Sequence, residues 1–197
     1  MLSVVTQFTR WLVRPVGRWL ARGARQDDPW ERLPYTVKAR AFGRGSIHPF
    51  PWYFEGESAV DVKSLDDVCA WLMECQYVAD PELFNESDFW QHPRTFERLR
   101  QGDCEDHALW AWRKLVELGF EAELVSGTRQ REDGVHGGHV WVRFRRDGRD
   151  YIFEAVARSP EQIVRLFDEA RQEYTPHAGV DHDFHQHAYV GYLRALE

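Results

Sequence analysis

A chain of 197 residues with 43% hydrophobic and 29% charged side chains has the composition of an ordinary soluble protein, one compact domain with short extensions. Its formal charge of −7 is uneven: residues 1–25 hold Arg10, Arg14, Arg18, Arg22 and Arg25 and no acid, leaving 20 basic against 32 acidic side chains beyond them. A body that acidic argues against a nucleic-acid partner, because phosphates must be met by a basic surface.

Val5, Phe8, Leu12, Val16, Trp19 and Leu20 recur at roughly helical spacing, with arginines on another face, so residues 1–25 read as a basic amphipathic helix bent at Pro15. Such a helix suits peripheral contact with an anionic membrane surface, or docking on the acidic body or a partner. No stretch approaches the ~20 apolar residues that cross a bilayer, and arginines interrupt the place where a signal peptide keeps its apolar run. The three cysteines, Cys69, Cys75 and Cys104, show no C-x-x-C pair and fit a reducing compartment. The expected location is therefore cytoplasmic, with membrane association through residues 1–25 left open.

Residues 26–63, rich in Pro, Gly and charge, read as a connecting arm with a strand at Tyr35–Phe42. A catalytic domain is expected over residues 64–197. Ser64 opens its first helix with Asp67 as a variant capping box, and Leu65, Val68, Cys69, Leu72 and Cys75 form the buried stripe. Pro93 starts a short helix ending near Gly102. The next helix runs from Cys104 to Leu118, stops at Gly119, and turns Cys104, Ala108, Ala111, Leu115 and Leu118 inward. Phe120–Ser126 reads as a strand and Thr128–Gly138 as a polar loop. His139–Arg145 and Tyr151–Val156 alternate as a hairpin about Asp147-Gly148. Ser159, Pro160 and Gln162 supply the start of a helix to about Arg171. The order gives an α+β domain.

Chemistry concentrates at Cys104. A thiol attacks a carbonyl as the thiolate, and a helix N-terminus favours that charge through its free N–H groups and dipole. The nucleophile needs a base, and the base an orienting carboxylate. A two-residue turn at Asp147-Gly148 makes facing positions sum to 295, with His139 opposite Val156; a register summing to 293 would set His139 directly opposite Glu154, and either way Glu154 shares the His139 face. A carboxylate between Ile152 and Val156 on an apolar face is costly unless paired, and His139 is its natural partner.

These residues resemble the transglutaminase-like superfamily: Gly102-Asp103-Cys104-Glu105-Asp106 ahead of a helix, His139-Val140-Trp141 opening a strand, and an acid 15 positions after the histidine. Within it the likeness is closest to bacterial transglutaminase-like cysteine proteinases, whose run into the nucleophile is similar to Phe89–Phe96. The resemblance implies a papain-like, transglutaminase-like core in which a nucleophile helix packs on an antiparallel sheet. It implies Cys104 as nucleophile, His139 as base and Glu154 as orienter, where the family usually carries Asp. It also implies that Asp103 and Glu105 match the acids through which some of these proteases bind calcium, though no cofactor is required for the thiol chemistry itself.

For a further oxyanion donor the segment offers the Gln91 amide or the Trp90 indole. His136 and His107 are weaker candidates for the base, and His177, His182, His185 and His187 read as a solvated cluster. The expected function is thiol-dependent cleavage of a peptide or related amide in a protein or peptide substrate. Acyl transfer to an amine by the same triad and a non-catalytic peptide- or membrane-binding module are the rivals.

Overall fold

The computed structural model describes residues 28–130 and 134–196. The expected basic helix over residues 1–25 lies outside the described residues. Within them, a seven-stranded antiparallel sheet carries the molecule. Its strands are β1 (Arg32–Leu33), β4 (Glu121–Gln130), β5 (His136–Arg146), β6 (Arg149–Phe153), β7 (Val164–Leu166), β8 (Tyr174–Val180) and β9 (Gln186–Tyr189), in the order β1-β9-β8-β4-β5-β6-β7. Alternation along these strands feeds two cores. Leu124, Val142, Phe144 and Phe153 face the helices. Val125, Trp141 and Ile152 face the other way, onto Trp30, Phe167, Tyr174 and Tyr189.

Among the described residues four α-helices precede β4: α1 (Leu65–Met73), α2 (Asp80–Leu83), α3 (Pro93–Leu99) and α4 (Cys104–Glu117). Between them β2 (Gln76–Tyr77) and β3 (Gln101–Gly102) form a short parallel pair. Single-turn helices α5 (Pro160–Ile163) and α6 (Phe167–Ala170) and the final α7 (Val190–Ala195) flank the later strands. Ser64 caps α1, accepting from Asp67 N at 3.2 Å, while Asp67 reaches back to Lys63 N at 2.9 Å. Helix α4 ends at a left-handed Gly119 with φ of +86°, a conformation that glycine adopts without strain. It is wrapped on nearly all sides, so that Leu109, Trp110, Ala111 and Trp112 are all fully buried. Helix α4 packed on the antiparallel sheet makes the expected α+β core.

The β5–β6 hairpin turns at Asp147 and Gly148, with φ of +52° and +73°, the left-handed pair that a two-residue turn demands. Its register runs from Arg146↔Arg149 to Val142↔Phe153, a sum of 295 and one of the two expected registers.

Several elements differ from expectation. Tyr35–Phe42 forms no strand and closes in a 3-10 turn at Ala39–Ala41. Val37 and Phe42 both enter the helix-side core, and residues five apart on a regular strand would point to opposite faces. The arm is part of that core, with Phe50 and Tyr53 fully buried and the Arg113 guanidinium bound to Tyr53 O at 3.3 Å. The expected polar loop is shorter, because β4 and β5 keep pairing out to Gln130↔His136. The helix expected to reach Arg171 breaks after Ile163. There Val164–Leu166 pairs with Tyr151–Phe153, so the ladder along β6 outweighs helix propensity. His177 and His187 lie in β8 and β9 rather than in a solvated loop.

Candidate active site

The tip of α4 is built by its own acids. Asp103 is the N-cap, and the capping box closes with Asp106 accepting from Asp103 N at 3.3 Å. Asp106 also accepts from Gln91 N at 2.9 Å and Gln91 Nε2 at 2.6 Å, which ties the segment before α3 to the helix start. Gly102 leaves room for this, since a Cβ there would stand 2.3 Å from Asp106 Oδ2.

Cys104 takes the first helical position and remains partly exposed. Its thiol donates to Glu105 Oε2 at 3.3 Å and lies against the backbone N–H of Val140, the residue after His139. Burial first, then the Glu105 and Asp103 carboxylates, push this thiol up, and the Val140 N–H opposes them.

Across β5, the imidazole of His139 presents Nε2 to both oxygens of Glu154, at 3.0 and 2.8 Å. Glu154 follows the last residue of β6 and is 1% exposed. Its Oε2 also accepts from the Tyr174 hydroxyl at 2.8 Å and meets Arg129 Nη1 at 3.0 Å. Burial pushes this carboxyl up, but His139, Arg129 and Tyr174 outweigh it and hold Glu154 below the usual range. With Nε2 committed to the carboxylate, Nδ1 is the ring atom left to serve a thiol.

A second acidic group adjoins the sulfur. Oxygens of Asp80, Asp88 and Glu105 lie within 4.8 Å of one another, as do ligand atoms of Asp103, Cys104 and Glu105. Burial, with Asp103 and Asp88 adding to it, raises Asp80 to about 6. Glu105 is raised well above its usual range by burial, Asp103 and Asp106. Asp80 Oδ1 and Asp103 Oδ1 are buried without a hydrogen-bond partner among the described residues. Crowded, desolvated carboxylate oxygens with open lone pairs are the donor set of a hard divalent cation, so the residues fit calcium.

The two side chains considered as oxyanion donors are otherwise engaged. Gln91 Nε2 is given to Gln101 O at 2.9 Å and to Asp106, and the Trp90 indole donates to Asp88 Oδ1 at 3.1 Å. His107 is fully buried, its Nδ1 on Asp103 O at 2.8 Å. His136 is exposed at the start of β5. Sequence reading missed Arg129, Tyr174, Asp80 and Asp88, which come from β4, β8, α2 and the loop before α3. No local motif joins them to Cys104 or His139.

Known proteins resemble the chain as follows. Residues 57–179 match the family model described as bacterial transglutaminase-like cysteine proteinase. No curated protein matches. Among solved structures, calcium-bound LapG of Legionella pneumophila is similar at 17% identity and a TM-score of 0.46, covering 84% of this chain and 82% of that one. The EGTA-treated form is similar at 18% identity and a TM-score of 0.45, covering 66% and 69%. The family match spans well over half of the sequence and includes Cys104, His139 and Glu154. The chain belongs to the bacterial transglutaminase-like cysteine proteinases and is a cysteine peptidase.

Proposed function

We propose that the chain cleaves a peptide bond in a protein substrate with Cys104 as nucleophile, His139 as base and acid, and Glu154 as the orienting carboxylate. The observation that carries this reading is the bidentate contact of a buried, ionised Glu154 with His139 Nε2, beside a helix tip that bears a cysteine. His139 takes the thiol proton, and Sγ forms a bond to the scissile carbonyl carbon. Collapse breaks the C–N bond as the imidazolium protonates the leaving amine. Water then gives a proton to His139 and attacks the thioester carbonyl; the C–S bond breaks, the acid leaves, and the imidazolium returns its proton to sulfur.

The oxyanion falls to the backbone N–H of Cys104 and its neighbours at the helix tip, where first-turn donors lack intrahelical partners. Asp80, Asp88, Asp103 and Glu105 are the residues that would hold calcium. A bound dication supplies the positive charge that offsets the carboxylates keeping the thiol protonated.

The test is iodoacetamide labelling of the full chain with calcium present, followed at Cys104 by peptide mass spectrometry between pH 5 and 8. Wild type is expected to label at least about tenfold faster than His139→Ala near neutral pH. Equal rates would overturn the triad.

A further inference from the structure

We propose that Arg129 and Tyr174 are positioning residues that hold the Glu154 carboxylate against His139; the role rests on the triad reading above. Glutamate has one more methylene than the aspartate usual in the family, hence one more torsion to fix before its oxygens meet an imidazole. Here Oε2 alone meets three partners: it is hydrogen-bonded to His139 at 2.8 Å and to the Tyr174 hydroxyl at 2.8 Å, and ion-paired with Arg129 Nη1 at 3.0 Å. Three contacts on one oxygen fix the torsions that the longer side chain leaves free.

The backbone is arranged for this contact. In the β4–β8 pairing the register slips by one residue between Ser126 and Gly127. Before the slip Ser126 faces Ala178, and after it Arg129 faces Tyr174 directly. Without the slip Tyr174 would face Gln130 and point to the other side of the sheet. Across the other edge of β4, Gly127 faces His139. The bulge therefore puts Arg129, Tyr174 and His139 on one face.

Arg129 is itself held. Its Nη2 lies 3.5 Å from Glu173 Oε2, and its guanidinium stands 5.3 Å from the Tyr174 ring centre. Behind it a cavity of about 480 Å³ opens between Arg129, Glu154, Gln162, Arg165 and Glu173. Loss of the guanidinium would open Oε2 to that cavity. The charged and titratable groups facing Glu154 are Arg129 from β4, His139 from β5, Arg165 from β7, Tyr174 from β8 and His107 from α4. Among them only Arg129, His139 and Tyr174 are hydrogen-bonded or ion-paired to it among the described residues.

A double-mutant cycle decides the matter. The rate of Cys104 alkylation by iodoacetamide is measured at pH 7 and fixed calcium, in wild-type and Glu154→Gln backgrounds. In the wild-type background Arg129→Met is expected to slow the reaction about tenfold and Tyr174→Phe about threefold. In the Glu154→Gln background each should change it by less than about twofold, because the group they position is gone. Equal losses in both backgrounds would mark a general structural role and overturn the proposal, as would no loss in the wild-type background. Should Arg129→Met not fold, Tyr174→Phe carries the same cycle. A wild type that labels no faster than His139→Ala overturns the triad and this role together. Fast, His139-dependent labelling with equal losses in both backgrounds overturns this role alone.

Discussion

Glu154 meets His139 with both carboxylate oxygens, although the two residues stand outside the paired part of the hairpin. The ladder ends at Val142↔Phe153, and Glu154 turns from there to donate its N–H to Ile163 O at 2.7 Å. The longer acid thus reaches the imidazole from beyond the strand end, a placement set by the chain's departure toward α5. Glu154→Asp is expected to withdraw the carboxylate from Nε2 and slow substrate turnover, and Glu154→Gln to cost about 10²-fold or more by removing the charge that stabilises the imidazolium. Glu154→Gln leaves Arg129 with Glu173 as its remaining ion-pair partner, so a loss on the order of only 1 kcal/mol should appear in urea denaturation. Turnover of either variant at the wild-type rate would exclude an orienting role.

The acids around the thiol predict a response to calcium. Titrating calcium into the chelator-treated protein should raise its Tm, by an amount equivalent to about 2.7 kcal/mol at a hundredfold excess over Kd. Asp80→Asn and Asp88→Asn should each weaken that rise, because Asp80, Asp88 and Glu105 converge. A Tm indifferent to calcium would remove the cation from this site.

Gly102 sits one residue ahead of the N-cap, and a methyl there has nowhere to go. A Cβ would stand 2.3 Å from Asp106 Oδ2 and 2.6 Å from Gln91 Nε2, two atoms already bonded to each other at 2.6 Å. Gly102→Ala should therefore destabilise by about 1–3 kcal/mol in denaturant melts and slow Cys104 alkylation as the helix tip shifts. An unchanged melt would show that the capping network yields easily.

His177 on β8 gives a pH signature remote from the chemistry. Burial lowers it from 6.5 to about 4, so the folded chain prefers the neutral ring. Between those values the unfolded chain binds the extra proton. The stability this group contributes is thus complete above pH 6.5 and lost as pH falls toward 4, by at most roughly 3 kcal/mol. His177→Gln should flatten that part of the stability profile measured by denaturant melts. The same slope in the variant would assign it to other groups.

Much of the site could be read from the linear chain, for reasons of local physics. The Asp147-Gly148 turn fixes the hairpin register through two left-handed residues, and parity alone then puts Glu154 on the His139 face. Asp103, Asp106 and Gly119 mark both ends of α4 and so place Cys104 at its tip. Arg129, Tyr174, Asp80 and Asp88 had no such signal. Tyr174 reaches Arg129 across a bulged β4–β8 pairing 45 positions apart, and a one-residue slip decides which face it takes. Asp80 and Asp88 meet the helix tip through a loop whose course depends on Phe89 N binding Asp80 Oδ2 at 2.6 Å. Strand β7 likewise exists only because β6 offers it an edge. Periodicity, turns and caps act over a few residues and are written in the sequence. Register slips, edge pairing and loop placement follow from contacts between distant segments, so only the folded chain decides them.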